Sequence, residues 1–128
     1  MVGIVLVSHS ATLASGLAEI VGQVAGDDVR IEAAGGSSDG RLGTSGDLVA
    51  AALANADTGD GVVVLADLGS SILVVRHLLE TLGANGKIRL VDAPMVEGAV
   101  AAGVVASGGA SIGEVAAAAE SARDARKF

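Results

Sequence analysis

A histidine between two serines, Ser8-His9-Ser10, stands where a run of aliphatic residues ends and a helical pattern begins. The run (Val2, Ile4, Val5, Leu6 and Val7) suits a strand buried on both faces of a parallel sheet. From Thr12 the spacing of Leu13, Leu17, Ile20, Val21 and Val24 is that of an amphipathic helix, with Ser10 as its natural N-cap. His9 is therefore expected at the carboxyl end of a first strand, against the amino end of a first helix. Ligands of open α/β sheets bind along that edge. A helix N-terminus carries about half a unit of positive charge and favours anions such as phosphate. An imidazole placed there is a candidate nucleophile for a phosphoryl group.

Two further stretches bring polar groups to the same kind of edge. The aliphatic run Val62 to Ala66 ends in Asp67-Leu68-Gly69-Ser70-Ser71, and a glycine-rich loop from Gly35 to Gly43 leads into Thr44. If the first and third strands are neighbours, Asp67 comes within reach of His9. A carboxylate on one imidazole nitrogen fixes the tautomer and leaves the other lone pair free. Asp67 is expected on Nδ1, which makes Nε2 the nucleophile. Hydroxyls and helix-terminal amides of Ser10, Thr44, Gly69, Ser70 and Ser71 are the candidates to stabilise the phosphoryl group. Phosphoryl transfer asks for positioning and charge neutralisation more than for acid–base chemistry. Arg41 is the sole basic residue at this edge, and neither GxxxxGK[ST] nor a strand-linked GxGxxG occurs. A nucleoside triphosphate is poorly served, so the phosphoryl group is expected from another protein. The second histidine, His77, falls in mid-helix and reads as structural or surface.

Alternating elements must position these groups. Val29 to Ala34 reads as a second, edge-like strand, with Arg30 and Glu32 on one face. Thr44 or Ser45 caps a helix reaching about Ala56, and Thr58 to Gly61 is a turn. A helix from about Ser71 to Leu82 has an apolar face too wide for a sheet alone, with Arg76 and Glu80 spaced to pair on its solvated side. Gly83-Ala84-Asn85-Gly86 turns into a fourth strand, Lys87 to Asp92, and Pro94 suits a helix start. Met95 to Ala106 is apolar nearly all round, as in a helix buried at a subunit interface or under another helix. Ser111 to Glu114 has capping-box spacing and opens an alanine-rich helix to about Lys127. The order βαβαβαβαα predicts one domain over 1–128. Its class is α/β: a three-layer, doubly wound, mostly parallel four-stranded sheet with helices on both faces.

Composition narrows the partners. One Phe and no Trp or Tyr leave no platform for stacking bases, and a net charge of −7 argues against nucleic acid and anionic membranes. Without cysteine there is no thiolate metal site, and no metal is expected. Neither a signal peptide nor a membrane span is visible, so the expected localisation is cytoplasmic. The surplus apolar surface on the third and fourth helices predicts a homodimer.

The blocks IVLVSHS, GGSSDGRLGTSGD, VVVLADLGSS and VDAPMVEGAVAAGVVASGGAS together resemble the phosphotransferase subunits of phosphoenolpyruvate-dependent dihydroxyacetone kinases, within the mannose-type enzyme IIA group. The likeness extends over essentially the whole chain. It implies that His9 is phosphorylated and that Asp67 orients it. It implies the histidine phosphocarrier HPr as donor, fed from phosphoenolpyruvate (PEP) by enzyme I. It also implies ADP on the kinase's nucleotide-binding subunit as acceptor, with no cofactor held by this chain. A sugar-transporter enzyme IIA and a non-catalytic α/β regulatory module are the alternatives.

Overall fold

The computed structural model describes residues 1–83 and 86–128; Ala84 and Asn85, in the expected turn, lie outside the described residues. Four strands, β1 (Gly3–Ser8), β2 (Ile31–Gly35), β3 (Val62–Ala66) and β4 (Ile88–Leu90), form one sheet in the order β2-β1-β3-β4. Every pairing is parallel. The two uninterrupted aliphatic runs occupy the centre and are buried along their whole length, whereas β2 and β4 are the partly exposed edges. β2 is shifted from the expected Val29 to Ala34, although Val29 is still buried.

Alternation along the central strands divides the core. Ile4 and Leu6 of β1 join Val63 and Leu65 of β3 beneath α1 (Ala11–Ala25), α4 (Met95–Ser107) and α5 (Ile112–Ser121). Val5, Val7, Val62 and Val64 face the other way, against α2 (Gly46–Ala56) and α3 (Gly69–Leu82). This is the expected three-layer, doubly wound arrangement, with helices on both faces of the sheet.

Helix α4 hides most of its apolar surface inside the subunit, leaving Val96 and Val104 exposed. It buries Gly98, Ala99, Ala102, Gly103 and Ala106 between α1, α5 and the sheet. Gly103 sits so close to α1 that a Cβ there would lie 2.7 Å from Val21 Cγ1. The terminal helix is shorter than expected. The Ser111 hydroxyl accepts from Glu114 N–H (3.3 Å), the N-cap half of the expected capping box, and donates to the Glu114 carboxylate (3.1 Å). At its end α5 stops at Ser121, and a 3-10 turn (Ala122–Asp124) follows. Beyond Ala119 no residue is buried, so packing no longer holds a helix there. Arg123 instead turns back to the Asp92 carboxylate.

Candidate functional site

The chain leaves β1 toward β2 on one side and returns as β3 on the other, so strand order reverses between β1 and β3. The carboxyl end of that gap is where doubly wound sheets hold ligands. Pairing of Val7 with Ala66 puts the next residues, Ser8 and Asp67, side by side. His9 and Asp67 are thus brought together by strand register rather than by any loop excursion.

The His9 Nδ1 and Asp67 Oδ1 atoms are 3.0 Å apart, with the two side chains 28% and 15% exposed. The same carboxylate is gripped by three further donors. His9 N–H (3.0 Å) and the Ser8 hydroxyl (2.9 Å) donate to Oδ2, and Leu68 N–H (2.7 Å) donates to Oδ1. Burial by itself raises the Asp67 pKa, but hydrogen bonds from His9 N–H, the Ser8 and Ser71 hydroxyls and Leu68 N–H outweigh it and hold the group at about 2. The carboxylate is ionised throughout the neutral range. Beside an ionised acceptor, Nδ1 is the nitrogen that keeps its proton, so the Nε2 lone pair is the one available for chemistry.

Hydroxyls surround the ring. The Ser70 hydroxyl lies against Nε2. Ser71, fully buried, places its hydroxyl 3.1 Å from Nδ1 and 2.7 Å from the Thr44 hydroxyl. Thr44 is therefore seated on Ser71, and Ser45 caps α2 by accepting from Leu48 N–H (3.2 Å). Ser10 caps α1 through Leu13 N–H (3.2 Å). The glycine-rich loop is knitted to β1: Gly36 N–H donates to the Ser8 carbonyl (3.1 Å) and Gly43 N–H to the His9 carbonyl (2.9 Å). Arg41 turns to Asp39 (3.6 Å), not toward the ring.

Helix α3 differs from α1 and α2, whose starts at this edge are capped by serines. Its N-cap is Leu68, which has no side chain to accept a hydrogen bond. Helix geometry leaves its first-turn amides, Gly69, Ser70 and Ser71, without intrahelical acceptors, in the turn whose Ser70 hydroxyl meets Nε2. Sequence reasoning assigned no role to Ser8. The available signal was a serine closing an otherwise aliphatic central strand, since a buried hydroxyl requires a partner. His77 and Arg76 lie exposed on α3, and the expected Arg76–Glu80 ion pair is absent among the described residues. Also among the described residues, no cluster of three or more His, Cys, Asp or Glu side chains is arranged to hold a metal. No helix there is long and apolar enough to cross a membrane.

A parallel sheet bearing a carboxylate-bound histidine at its switch point defines a class of α/β phosphotransfer domain, and the comparisons agree. The chain belongs to the mannose-type enzyme IIA family, matching the model described as "PTS system fructose IIA component" over residues 3–118. Within that family it is DhaM-like. It is 41% identical, over 81% of this chain and 85% of the relative, to the phosphoryl donor subunit DhaM of PEP-dependent dihydroxyacetone kinase 2 from Listeria innocua serovar 6a. It is 38% identical to the DhaM subunit of Escherichia coli (strain K12) over 90% of this chain, spanning a quarter of that longer relative. A solved structure described as the unknown function protein EF1359 superposes with a TM-score of 0.85 at 29% identity, covering 100% of this chain and 99% of the other.

Proposed function

We propose that this chain is a phosphohistidine carrier that takes a phosphoryl group from phospho-HPr onto His9 Nε2. It then passes the group to ADP on the nucleotide-binding subunit of a dihydroxyacetone kinase. The observation that carries this reading is the division of labour on the His9 ring, with Nδ1 held by Asp67 and Nε2 turned to the uncapped start of α3. Similarity to DhaM subunits, named as phosphoryl donors, selects the kinase system.

In the first half-reaction the Nε2 lone pair attacks phosphorus. The donor's P–N bond breaks, and the donor imidazole keeps that electron pair. The phosphorylated ring gains positive charge, which the Asp67 carboxylate offsets across Nδ1–H. The Ser70 hydroxyl turns from Nε2 to a phosphoryl oxygen, joined by the amides of Gly69, Ser70 and Ser71. In the second half-reaction a β-phosphate oxygen of ADP attacks phosphorus and the P–Nε2 bond breaks, which returns neutral His9 and forms ATP. Exposed Leu42 (79%) and Leu68 (66%) flank the site and give a partner protein apolar ground to dock on.

Incubation with PEP, enzyme I and HPr should give one acid-labile, base-stable phosphate per chain. His9→Ala should lose it with the fold intact, and His77→Ala should keep it. Label on His9→Ala, or no transfer from phospho-HPr to the unaltered chain, refutes the carrier reading. The family description names a sugar-transport component, which favours a second reading: transfer to a membrane-linked sugar-specific domain. Discharge of the labelled protein to ADP that requires the nucleotide subunit separates the two.

A further inference from the structure

We propose that Ser8 is a positioning residue for the phosphoryl-accepting histidine: its hydroxyl locks the rotation of Asp67, so that Oδ1 stays turned to His9 Nδ1. The inference extends the carrier reading above but concerns the resting ring, and can be tested without it.

Ser8 is one of two fully buried polar residues among those described, and it closes a strand whose other residues are aliphatic or glycine. Burying a hydroxyl costs free energy unless it is hydrogen-bonded. Here it is bonded twice. It donates to Asp67 Oδ2 (2.9 Å) and accepts from Ser10 N–H (3.0 Å), spanning the bend on which His9 sits. With its single proton committed to Asp67, the oxygen's remaining capacity serves the Ser10 amide.

The consequence for Asp67 follows from counting its donors. Oδ2 takes the Ser8 hydroxyl and His9 N–H; Oδ1 takes Leu68 N–H and the ring. A carboxylate held by donors on both oxygens, with the Ser71 hydroxyl beside it as well, has one orientation that satisfies them together. Without the Ser8 hydroxyl, Oδ2 keeps one donor, the Ser10 amide loses its acceptor, and the carboxylate can swing away from the ring plane. The ring then loses part of what selects the Nδ1–H tautomer, and the fraction with a bare Nε2 falls.

The test uses Ser8→Ala and the nearly isosteric Ser8→Cys, whose thiol is a weak donor and which preserves packing where alanine does not. Nitrogen NMR of the unphosphorylated protein should show His9 as one Nδ1–H tautomer in the parent and as a mixture of tautomers in a folded Ser8 variant. Phosphoryl uptake should slow about tenfold, the loss expected for one hydrogen bond to a charged group. In an Asp67→Ala background the same Ser8 change should have no additional effect on uptake, because Ser8 acts through Asp67. A folded variant with a single Nδ1–H tautomer and parental uptake overturns the proposal. So does an equal slowing when Asp67 is already gone. Failure of the parent protein to accept phosphate refutes the carrier reading alone, and the tautomer measurement then decides the role of Ser8.

Discussion

At the scale of single residues, Asp67 shows what the site demands of a side chain. Asp67→Asn keeps the shape but turns an acceptor into a group that can present an amide to Nδ1, which favours the tautomer with the proton on Nε2. Phosphoryl uptake should fall about a hundredfold or more, as when a carboxylate that orients histidine is neutralised elsewhere. A stopped-flow transfer assay from phospho-HPr checks this. The same carboxylate links stability to pH. Its folded pKa of about 2 lies below the ordinary 3.8, so its stabilising effect is complete above 3.8 and is lost as pH falls toward 2. The contribution is on the order of 1 kcal/mol once solvent screening is allowed for. Acid titrations of unfolding should show a drop in that window for the parent, and Asp67→Ala should flatten it. His9 and Asp67 were legible in the sequence because each directly follows, or nearly follows, a buried aliphatic run. The aim of Ser71 was not. Whether a first-turn serine faces solvent, ligand or a neighbouring threonine depends on how its helix docks, and that is a tertiary fact.

At the scale of elements, alternation of aliphatic runs and amphipathic stretches was enough to place the four strands and five α-helices of the described residues in order. The boundaries moved where packing overrode local pattern. β2 slid toward Gly35 because its carboxyl end must lie against the start of α1. A Cβ at Gly35 would sit 2.4 Å from the Ser10 carbonyl oxygen and 2.7 Å from Ala11 Cα. Both obstacles are backbone and cannot step aside. Gly35→Ala should therefore cost about 1–3 kcal/mol or more, the range for overpacking, and should shift the Ser8–Ser10 bend. Thermal unfolding measures the first effect. Phosphoryl uptake by the protein that remains folded should fall as well, which distinguishes this site from a remote glycine. The width of the α3 apolar face was also legible, but its cause was not: among its buried residues only Ser71 and Val75 are fully covered.

At the scale of the molecule, the sheet acts as a partition between two aliphatic cores, and that changes the expected self-association. The two helices with surplus apolar surface, α3 and α4, lie on opposite faces, so one two-fold contact cannot use both. With α4 largely covered by α1 and α5 and only Val96 and Val104 of its large apolar residues exposed, the homodimer we propose rests on α3, through exposed Leu73 (66%) and Leu82 (53%). Sedimentation equilibrium should give twice the 12.3 kDa chain mass, and Leu73→Asp should halve it. A monomer mass for the parent would remove the dimer.

The bare start of α3 has one more consequence. A phosphoryl group on Nε2 would supply the acceptors that Leu68 cannot, completing the helix as a capping side chain does elsewhere in the chain. The first-turn amide protons of Gly69, Ser70 and Ser71 would then exchange with deuterated solvent more slowly in the loaded protein than in the empty one. Those of α1 and α5, capped by Ser10 and Ser111 in either state, would keep their pace. The carrier would announce its cargo in the stiffness of a single helical turn, a signal that any protein docking on α3 is placed to feel.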